Sequence, residues 1–389
     1  MDPLTFPYAK QSINENDAEA VRQALFSPYI TRGKDVEEFE RSVADYCGAR
    51  YAVAFNSGTT ALAASGFAID VNRHDRLITT PNTFVGTLAV GWHEGAEPIF
   101  VDIERETANM DLALLEKMEP FQSTRGRSIY LPVHFGGIPI DLGRLNRMIS
   151  DPEALIIEDA AHALGSYYPD GTKVGSCYDS AMTCFSFHPA KQITSGEGGM
   201  VLTNDETLFN RLKLYRNNGI DRSSPKSETY PWYYEVKAIT GNFHMNELQA
   251  SLGLSQFKRI DSIAAHRREL MKRYFDKLKN EKGIRLVKTQ DLEKISFHLA
   301  LLQIDFEFFK KTREEVMNKL KEKGIGTQVH YIPIYKHPFF AERKTDLSSY
   351  FPETETYYKQ CLSFPLYTDL KLEEVDLIVE ALLGILNNP

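Results

Sequence analysis

A single lysine stands in a glycine-containing loop between two apolar segments of the chain. The stretch reads Ser186-Phe-His-Pro-Ala-Lys191 and continues through Gln-Ile-Thr-Ser-Gly-Glu-Gly to Gly199. Such a lysine is either an ordinary surface cation or a nucleophile that forms a Schiff base at the carboxyl end of a strand, where the sites of α/β proteins collect. The second possibility makes Lys191 a candidate catalytic residue and Ser186 a hydroxyl suited to phosphate.

Two adjacent carboxylates end another apolar segment, Leu155-Ile-Ile-Glu158-Asp159. Because a buried carboxylate needs a strong partner, at least one of the two should have one. A protonated pyridine nitrogen is such a partner, and Asp159 would keep the proton on a ring that acts as an electron sink. The alternative is that Asp159 caps a following helix.

A third segment, Asn56-Ser57-Gly58-Thr59-Thr60, follows a short apolar run. Glycine and hydroxyl residues at the start of a helix form an anion site from backbone N–H groups and the helix dipole. An ordinary helix cap is the alternative. The order along the chain is therefore a phosphate loop, an acid and a lysine 32 residues after the acid, which is far more specific than any of the three alone.

Alternating strand-like and helix-like segments must position these residues. Val36, Phe39, Val43 and Tyr46 recur at helical spacing, and short apolar runs lie between helical patterns through the first two thirds of the chain. This alternation is typical of βαβ units. The sequence therefore predicts an α/β fold with a mostly parallel central sheet and helices on both faces.

The pattern changes after about residue 245, which predicts a large domain over residues 1–255 and a smaller C-terminal α+β domain over residues 256–389. The segments predicted for this part are a long helix from Met245 to about Asn280, strands at Phe297–Ile304 and Gln328–Tyr331, a helix that opens with the capping box Thr312-Arg-Glu-Glu315 and stops at Gly324, and a closing helix over Leu372–Leu386. Residues 221–228 are polar and predict a loop.

Composition places the chain among ordinary globular proteins. Its 389 residues are 42% apolar, 25% charged and 11% aromatic, which excludes a disordered chain, a collagen-like repeat and a coiled coil. No apolar run is long enough to span a membrane, and no signal peptide is visible. Four scattered cysteines favour free thiols in a reducing cytoplasm over disulfides or a metal site, and the net charge of −8 argues against nucleic acid or a membrane as partner.

The whole chain resembles the fold-type-I enzymes that depend on pyridoxal phosphate, and within these the sugar-nucleotide aminotransferases of the DegT/StrS type. The segments that carry the resemblance are Ile30-Thr-Arg-Gly33 with Phe39-Glu40, Ser57–Leu62, Gly95–Asp102, Pro132–Gly137, Glu158–His162, Ser186–Gly199, Asn242–Leu254 and Val329–Pro333. The stretches Phe187–Thr194, Trp232–Glu235 and Gln328–Tyr335 are similar to the 4-aminotransferases of the pseudaminic acid pathway, which act on UDP-linked 4-keto-6-deoxy-N-acetylhexosamines.

The resemblance implies a role for each matching residue. Lys191 would bond covalently to the cofactor and move the proton, Asp159 would pair with its pyridinium, and His162 would lie near its phenolic oxygen. The other residues that the resemblance implies are Phe84 stacked on the ring, Ser57, Gly58, Thr59 and Ser186 at the phosphate, Asn242 reaching that phosphate from the neighbouring subunit, and His330 and Tyr331 at the sugar. His330 could equally be an ordinary histidine of a half-buried strand.

One departure affects substrate recognition. The family commonly has an arginine two residues after the asparagine that matches Asn242, and this chain has His244 there. Because that arginine meets the substrate or its phosphates, His244 becomes a candidate substrate residue with different chemistry.

The implied function is amino transfer from L-glutamate to the C4 ketone of a nucleotide-linked sugar by a cytoplasmic homodimer with shared sites. A 3-aminotransferase for dTDP-3-keto sugars and a cofactor-binding regulator without turnover remain alternatives. Lys191 disfavours the related dehydratases, which replace this lysine with histidine. A Rossmann dehydrogenase is excluded because no GxGxxG follows the first strand.

Overall fold

The computed structural model describes residues 5–118, 126–287, 291–342 and 346–387. The helices are α1 (Glu15–Leu25), α2 (Lys34–Cys47), α3 (Gly58–Ala68), α4 (Leu112–Met118), α5 (Leu142–Met148), α6 (Glu206–Arg216), α7 (Pro225–Thr229), α8 (Glu247–Phe257), α9 (Ile260–Leu278), α10 (Arg313–Glu322), α11 (Pro338–Ala341), α12 (Pro352–Gln360) and α13 (Leu372–Asn387). The strands are β1 (Tyr51–Phe55), β2 (Arg76–Thr79), β3 (Glu97–Phe100), β4 (Ser128–Tyr130), β5 (Leu155–Asp159), β6 (Met182–Ser186), β7 (Gly199–Thr203), β8 (Ile220–Asp221), β9 (Glu235–Val236), β10 (Ile284–Leu286), β11 (Ala300–Ile304) and β12 (Cys361–Phe364).

Seven strands form the central sheet in the order β1-β7-β6-β5-β4-β2-β3. The pairs β2–β3, β2–β4, β4–β5 and β5–β6 are parallel. Strand β7 runs antiparallel to both β1 and β6, so these two neighbours point the same way. The carboxyl ends of β1, β5 and β6 therefore meet at one edge of the sheet, together with the start of β7.

Both faces of this sheet are covered, as the sequence predicts. Ala52 and Ala54 of β1 pack into one apolar cluster with α2 and α8, whereas Val53 and Phe55 pack into the opposite cluster with α3. Alternate side chains of a strand point to opposite faces, so β1 is buried on both sides. The α/β fold and the mostly parallel sheet are confirmed.

The C-terminal part has its own antiparallel sheet, β10-β11-β12, with an apolar cluster around it. Helix α10 begins with the predicted capping box, in which Thr312 and Glu315 exchange hydrogen bonds, and it ends just before Gly324. Helix α13 closes this unit and agrees with the predicted segment. The predicted division at residues 255 and 256 falls near the end of α8 and stays a prediction.

Four predicted segments differ from the structure. The long helix after Met245 is two helices, because the chain turns at Lys258 and Arg259, where Arg259 binds the buried carboxylate of Asp17 at 2.6 Å. The strand predicted at 297–304 begins only at Ala300, since His298 N–H instead donates to Gly136 C=O.

The segment Gln328–Tyr331 is not a strand but makes a single bridge, from Gln328 to Ser363, before it turns toward the large sheet. Residues 221–228, predicted as a loop, contain the end of β8 and most of α7.

All four cysteines are free and buried. In the described part of the chain, no helix is long and apolar enough to cross a membrane. Nor do the described ranges contain a group of three histidine, cysteine or acidic side chains arranged to hold a metal ion.

Candidate active site

A cavity of about 400 Å³ opens at the edge where β1, β5 and β6 end. Ten of the twelve residues predicted from the sequence line it: Ser57, Gly58, Thr59, Phe84, Asp159, His162, Ser186, Lys191, His330 and Tyr331. They come from distant parts of the sequence. The strands that end at this edge bring together Ser57, Gly58, Thr59, Asp159 and Ser186, and the C-terminal part adds His330 and Tyr331.

The start of α3 forms the end of the cavity that suits a phosphate group. Ser57 is the N-cap residue, and its hydroxyl oxygen accepts from Thr60 N–H at 3.1 Å. Because this cap uses the third N–H of the helix, the N–H groups of Gly58 and Thr59 are the donors of the first turn that remain for an anion. Ser57 thus positions the loop, while the backbone provides the anion site.

A glycine is required at position 58 because Ser186 lies directly against it. A Cβ built on Gly58 would be 2.9 Å from Ser186 Cβ and 3.0 Å from its Oγ. These distances are shorter than van der Waals contact, so a side chain here would push the two segments apart. The loop after β1 and the end of β6 approach closely at Gly58 and Ser186 and form what we call the cradle of the anion site. This close approach requires glycine at position 58.

Asp159 ends β5 and is 5% exposed. Its Oδ2 accepts from Thr87 Oγ1 at 2.6 Å and its Oδ1 from Ala161 N–H at 3.1 Å. No helix begins at Asp159, since the next helix along the chain, α6, starts at Glu206, so the helix-cap alternative is wrong. Both of its hydrogen-bond donors are neutral, and the carboxylate remains available for a cation in the cavity.

The neighbouring Glu158 faces away from the cavity into a polar network. Its carboxylate binds His134 Nε2 at 2.6 Å and accepts from Thr183 Oγ1 at 2.6 Å, and it also accepts from the hydroxyls of Tyr168 and Ser180. These partners keep the pKa of Glu158 below its usual value despite complete burial. Glu158 is therefore a satisfied structural carboxylate, and Asp159 is the one presented to the site.

Lys191 lies in the loop between β6 and β7. Gln192 fixes this loop, since its side-chain amide donates to His162 C=O at 2.6 Å and to Ser296 C=O at 2.9 Å. Burial lowers the pKa of Lys191 to about 8, against a raising effect of the Asp159 carboxylate. An amine with this pKa is partly unprotonated near neutral pH, as a nucleophile or proton carrier requires.

His162 is held between two fixed partners. Its Nδ1 accepts from Gly136 N–H at 3.3 Å, and its Nε2 lies 3.2 Å from Tyr331 Oη. Burial, followed by the charge of Lys191, keeps the pKa of His162 well below its usual value. The ring is therefore neutral with its proton on Nε2, and it donates to Tyr331, whose own O–H is free to donate into the cavity.

The C-terminal part contributes His330, Tyr331 and His298 to the same cavity. His330 Nδ1 lies 2.7 Å from Ser363 Oγ, and burial lowers the pKa of His330 to about 3, so the ring is neutral at working pH. The ring centroid of His298 is 4.3 Å from that of His162. These rings form a neutral wall opposite the sheet.

Asn242 and His244 do not line the cavity of their own chain. Asn242 is exposed and pairs through its backbone with Asn217. His244 Nε2 lies 3.1 Å from Asn217 Oδ1. Their predicted roles in the neighbouring subunit stay predictions.

Sequence reasoning missed Thr87, His298 and Tyr8, which also line the cavity. Thr87 is fully buried, and the sequence carries no signal for its contact with Asp159, 72 positions away. His298 lies within the mostly apolar run Phe297–Ile304, where a histidine looks structural. Tyr8 precedes the first helix, and only the fold brings it to the site.

A mostly parallel sheet with this lysine and aspartate at its carboxyl edge defines a fold-type-I enzyme that uses pyridoxal phosphate. The chain belongs to the DegT/DnrJ/EryC1/StrS aminotransferase family, whose model matches residues 11–383. It is thus a sugar aminotransferase, and the predicted family, fold class and cofactor are confirmed.

Relatives cover almost the whole chain. The spore coat polysaccharide biosynthesis protein SpsC of Bacillus subtilis is 34% identical over 382 residues, which are 97% of this chain and 96% of SpsC. A UDP-4-amino-4,6-dideoxy-N-acetyl-beta-L-altrosamine transaminase of Campylobacter jejuni is 31% identical over 379 residues, 97% of either chain.

Two solved structures have the same fold. PseC of Helicobacter pylori, an aminotransferase involved in the biosynthesis of pseudaminic acid, superposes with a TM-score of 0.88 at 30% identity and covers 98% of this chain and 99% of its own. Spr1654 of Streptococcus pneumoniae in its PLP form gives a TM-score of 0.85 at 26% identity, with 98% of each chain covered.

The residues of the cavity fit this cofactor. Free N–H groups at the start of α3 and the Ser186 hydroxyl suit its phosphate, Asp159 suits its ring nitrogen, and Lys191 suits its aldehyde. Phe84 is 56% exposed beside the cavity, where an aromatic face suits a planar ring.

Proposed function

We propose that this enzyme moves an amino group from L-glutamate to the C4 ketone of a nucleotide-linked 4-keto-6-deoxy sugar, with a UDP-sugar favoured. The product would be an amino-sugar nucleotide for surface glycans, as in the pseudaminic acid pathway. The similarity to the Campylobacter transaminase and to PseC supports this substrate class. The observation that carries the chemistry is the single cavity in which Lys191, with a pKa of about 8, meets Asp159 and the open N-terminus of α3.

When bound, pyridoxal phosphate takes the amino group from one substrate and passes it to the other. We assign Lys191 to covalent attachment of the cofactor and to proton transfer at Nζ, and Asp159 to holding the proton on the ring nitrogen. His162 would orient the phenolic oxygen, and Phe84 would stack on the ring. Ser57, Gly58, Thr59 and Ser186 would hold the phosphate.

The substrate would lie against the wall formed by His330 and Tyr331, and His244 would be a further substrate residue. Tyr331 is well placed to donate a hydrogen bond, because His162 already donates to its oxygen. We further propose a cytoplasmic homodimer in which Asn242 reaches the partner's phosphate. The four free cysteines support a reducing compartment.

The test is transfer of label from ¹⁵N-glutamate to a panel of UDP- and dTDP-linked keto sugars, read by mass spectrometry, with Lys191→Ala as the inactive control. We expect label in a UDP-4-amino sugar with the wild-type enzyme alone. Label only in a dTDP-3-amino sugar would assign the alternative 3-aminotransferase. A protein that binds the cofactor but labels no product would be a regulator, and the proposal would be wrong.

A further inference from the structure

The cavity lacks the cations that the proposed substrates require. Among the described residues that line it, Lys191 is the only lysine or arginine, whereas Asp159 and Glu197 are acidic. A nucleotide sugar carries a diphosphate and glutamate carries two carboxylates, and proteins bind such groups with arginine or lysine. This inference rests on the proposed function, because it takes both substrates to be anions.

A cationic cluster lies beside Asn242. Arg32 Nη2 donates to Asn217 Oδ1 at 2.9 Å, and His244 Nε2 lies 3.1 Å from the same oxygen. Two N–H groups can share this amide oxygen, since it has two lone pairs. Arg32 and His244 are therefore fixed to one anchor, and the backbone of that anchor is paired with Asn242.

Arg32 carries the available charge of this cluster. Burial, together with the charges of Arg216 and Arg32, lowers the pKa of His244 to about 4, so His244 is neutral at working pH. Arg216 forms an ion pair with Glu40. In the described ranges, no carboxylate lies within the 4.0 Å ion-pair distance of the exposed Arg32 guanidinium.

The backbone around Arg32 is held in an unusual and fixed geometry. Arg32 has a φ of 55°, in the left-handed region that non-glycine residues seldom adopt. The next turn is held by the Glu247 carboxylate, which accepts from Gly33 N–H and Asp35 N–H at 2.8 Å each. Such a conformation persists only when its surroundings enforce it. It fixes the direction in which the Arg32 side chain leaves the backbone, and the hydrogen bond to Asn217 holds the guanidinium.

We propose that Arg32 is the guanidinium that each subunit presents to its partner's cavity, where it binds an anionic group of a substrate. Asn242 and Arg32 are joined through Asn217, so a dimer that brings Asn242 to the partner's cofactor phosphate also brings Arg32 to the mouth of that cavity. The guanidinium stands beside neutral His244, at the position where the family resemblance has an arginine. The anion is either the diphosphate of the nucleotide sugar or a carboxylate of glutamate, and separate measurements distinguish them.

The first experiment compares Arg32→Ala with Arg41→Ala, which removes an exposed arginine from the neighbouring α2. The two half-reactions are measured separately, and UDP binding is measured by calorimetry. If the anion is the diphosphate, Arg32→Ala should weaken UDP binding and raise KM for the sugar nucleotide by about tenfold or more, with an unchanged glutamate half-reaction. If it is a carboxylate, KM for glutamate should rise instead.

Arg41→Ala should behave like the wild type in every measurement. If Arg32→Ala does the same while the wild type transfers nitrogen from glutamate, Arg32 has no substrate role and this inference is wrong. Absence of transfer by the wild type would instead refute the proposed function. Arg32→Lys keeps the positive charge but lacks the planar guanidinium with its paired N–H donors. Partial recovery of KM in this variant would confirm that misfolding does not cause the effect of Arg32→Ala.

The second experiment asks which subunit Arg32 serves. A hybrid dimer of one Arg32→Ala subunit and one Lys191→Ala subunit, isolated through two different affinity tags, has one active cavity. If Arg32 acts on the partner, that cavity is intact and the hybrid has wild-type KM. A KM equal to that of Arg32→Ala would show that Arg32 acts within its own chain and would overturn the proposal.

A rescue variant uses the shared anchor. His244→Arg in the Arg32→Ala background places a new guanidinium next to Asn217. It should lower the raised KM much of the way back to the wild-type value. A double variant no better than Arg32→Ala alone would contradict a role for a guanidinium at this place.

Discussion

Asp159 accepts hydrogen bonds from a hydroxyl and a backbone amide, and neither donor brings a charge to neutralise it. The carboxylate is buried at the end of a strand, where an uncompensated charge is costly. A cationic ring nitrogen in the cavity would compensate it, and the carboxylate would in turn keep the proton on that ring. The buried charge and the proposed chemistry thus explain one another.

Replacement of Asp159 by asparagine tests this role. The amide can still accept from Thr87, but it cannot hold a proton on the ring nitrogen electrostatically. We expect some cofactor binding to remain and the glutamate half-reaction to slow by about two orders of magnitude or more. Stopped-flow absorbance measures both. An unchanged rate would move the role elsewhere, with Glu158 the first residue to test.

The pH dependence of cofactor capture tests Lys191. Its pKa of about 8 lies below the usual 10.5 of a lysine, so half of the amine is free at about pH 8 and nearly all of it is free above about pH 9. The rate at which the apoenzyme captures pyridoxal phosphate should therefore rise between about pH 6 and 9, with its midpoint near pH 8, and then level off. A free-lysine control should keep rising to about pH 10. Continued increase of the enzyme rate to pH 10 would contradict the lowered pKa.

At the scale of single residues, the sequence identifies the functional residues whose types are unusual for their surroundings. Lys191 in a glycine-containing loop and Asp159 at the end of an apolar strand stand out, and both line the cavity. Thr87 and His298 do not stand out, because threonine and histidine occur in many structural roles. Only the fold shows that Thr87 meets Asp159 and that His298 lies on His162.

At the scale of elements, the site depends on how strands and helices begin and end. Gly199 starts β7 opposite Phe55 of β1 and Ser186 of β6, and a Cβ built on it would be 2.3 Å from Ser57 C=O. The phosphate loop thus lies directly on the first residue of β7. Alternation of strands and helices predicts the parallel strands, but it does not predict that β7 inserts antiparallel between β1 and β6, since that order depends on how the loop with Lys191 returns.

Two errors at the scale of elements have the same cause. Helical periodicity continues through Lys258 and Arg259, so the sequence predicts one helix where the structure has α8 and α9. The break follows from a distant contact, the ion pair of Arg259 with Asp17, and local patterns cannot reveal it. Gln328–Tyr331 has strand-like residues, but its pairing with β12 is a single bridge at Gln328, and the N–H of Tyr331 donates to the side chain of Asn82.

Substitution of Gly58 by alanine tests the cradle between two elements. The added Cβ would collide with Ser186, so the start of α3 must move from the end of β6 and the affinity for the cofactor should fall by about tenfold or more. The matched control is Gly384→Ala in α13, where a Cβ meets nothing within 4 Å and alanine favours the helix by up to about 1 kcal/mol.

Fluorescence titration of the apoenzymes with pyridoxal phosphate gives the affinities, and thermal unfolding reports stability. The control should bind like the wild type and be at least as stable. Normal affinity of Gly58→Ala would show that the phosphate lies away from the contact between Gly58 and Ser186.

At the scale of the whole molecule, the main proposal is that the site is completed by two subunits. Ten predicted residues line the cavity of one chain, while Asn242 and His244 lie outside it. Residue types and spacing predict which residues form the site, whereas their proposed distribution over two chains comes from the family resemblance, because it depends on how the surfaces of two folded subunits meet. The proposed dimer has twofold symmetry, so each subunit gives and receives the same residues.

Reassociation of two inactive variants tests this arrangement. Asn242→Asp would place a carboxylate against the cofactor phosphate and weaken its binding by repulsion, and Lys191→Ala removes the covalent attachment. If each cavity takes Lys191 from one chain and Asn242 from the other, a hybrid dimer has one doubly defective site and one intact site. Random pairing makes about half of the dimers hybrid, so mixing the two variants should restore roughly a quarter of wild-type activity. If Asn242 acts within its own chain, both sites of every hybrid carry one defect, and mixing restores nothing even when native mass spectrometry finds the hybrids.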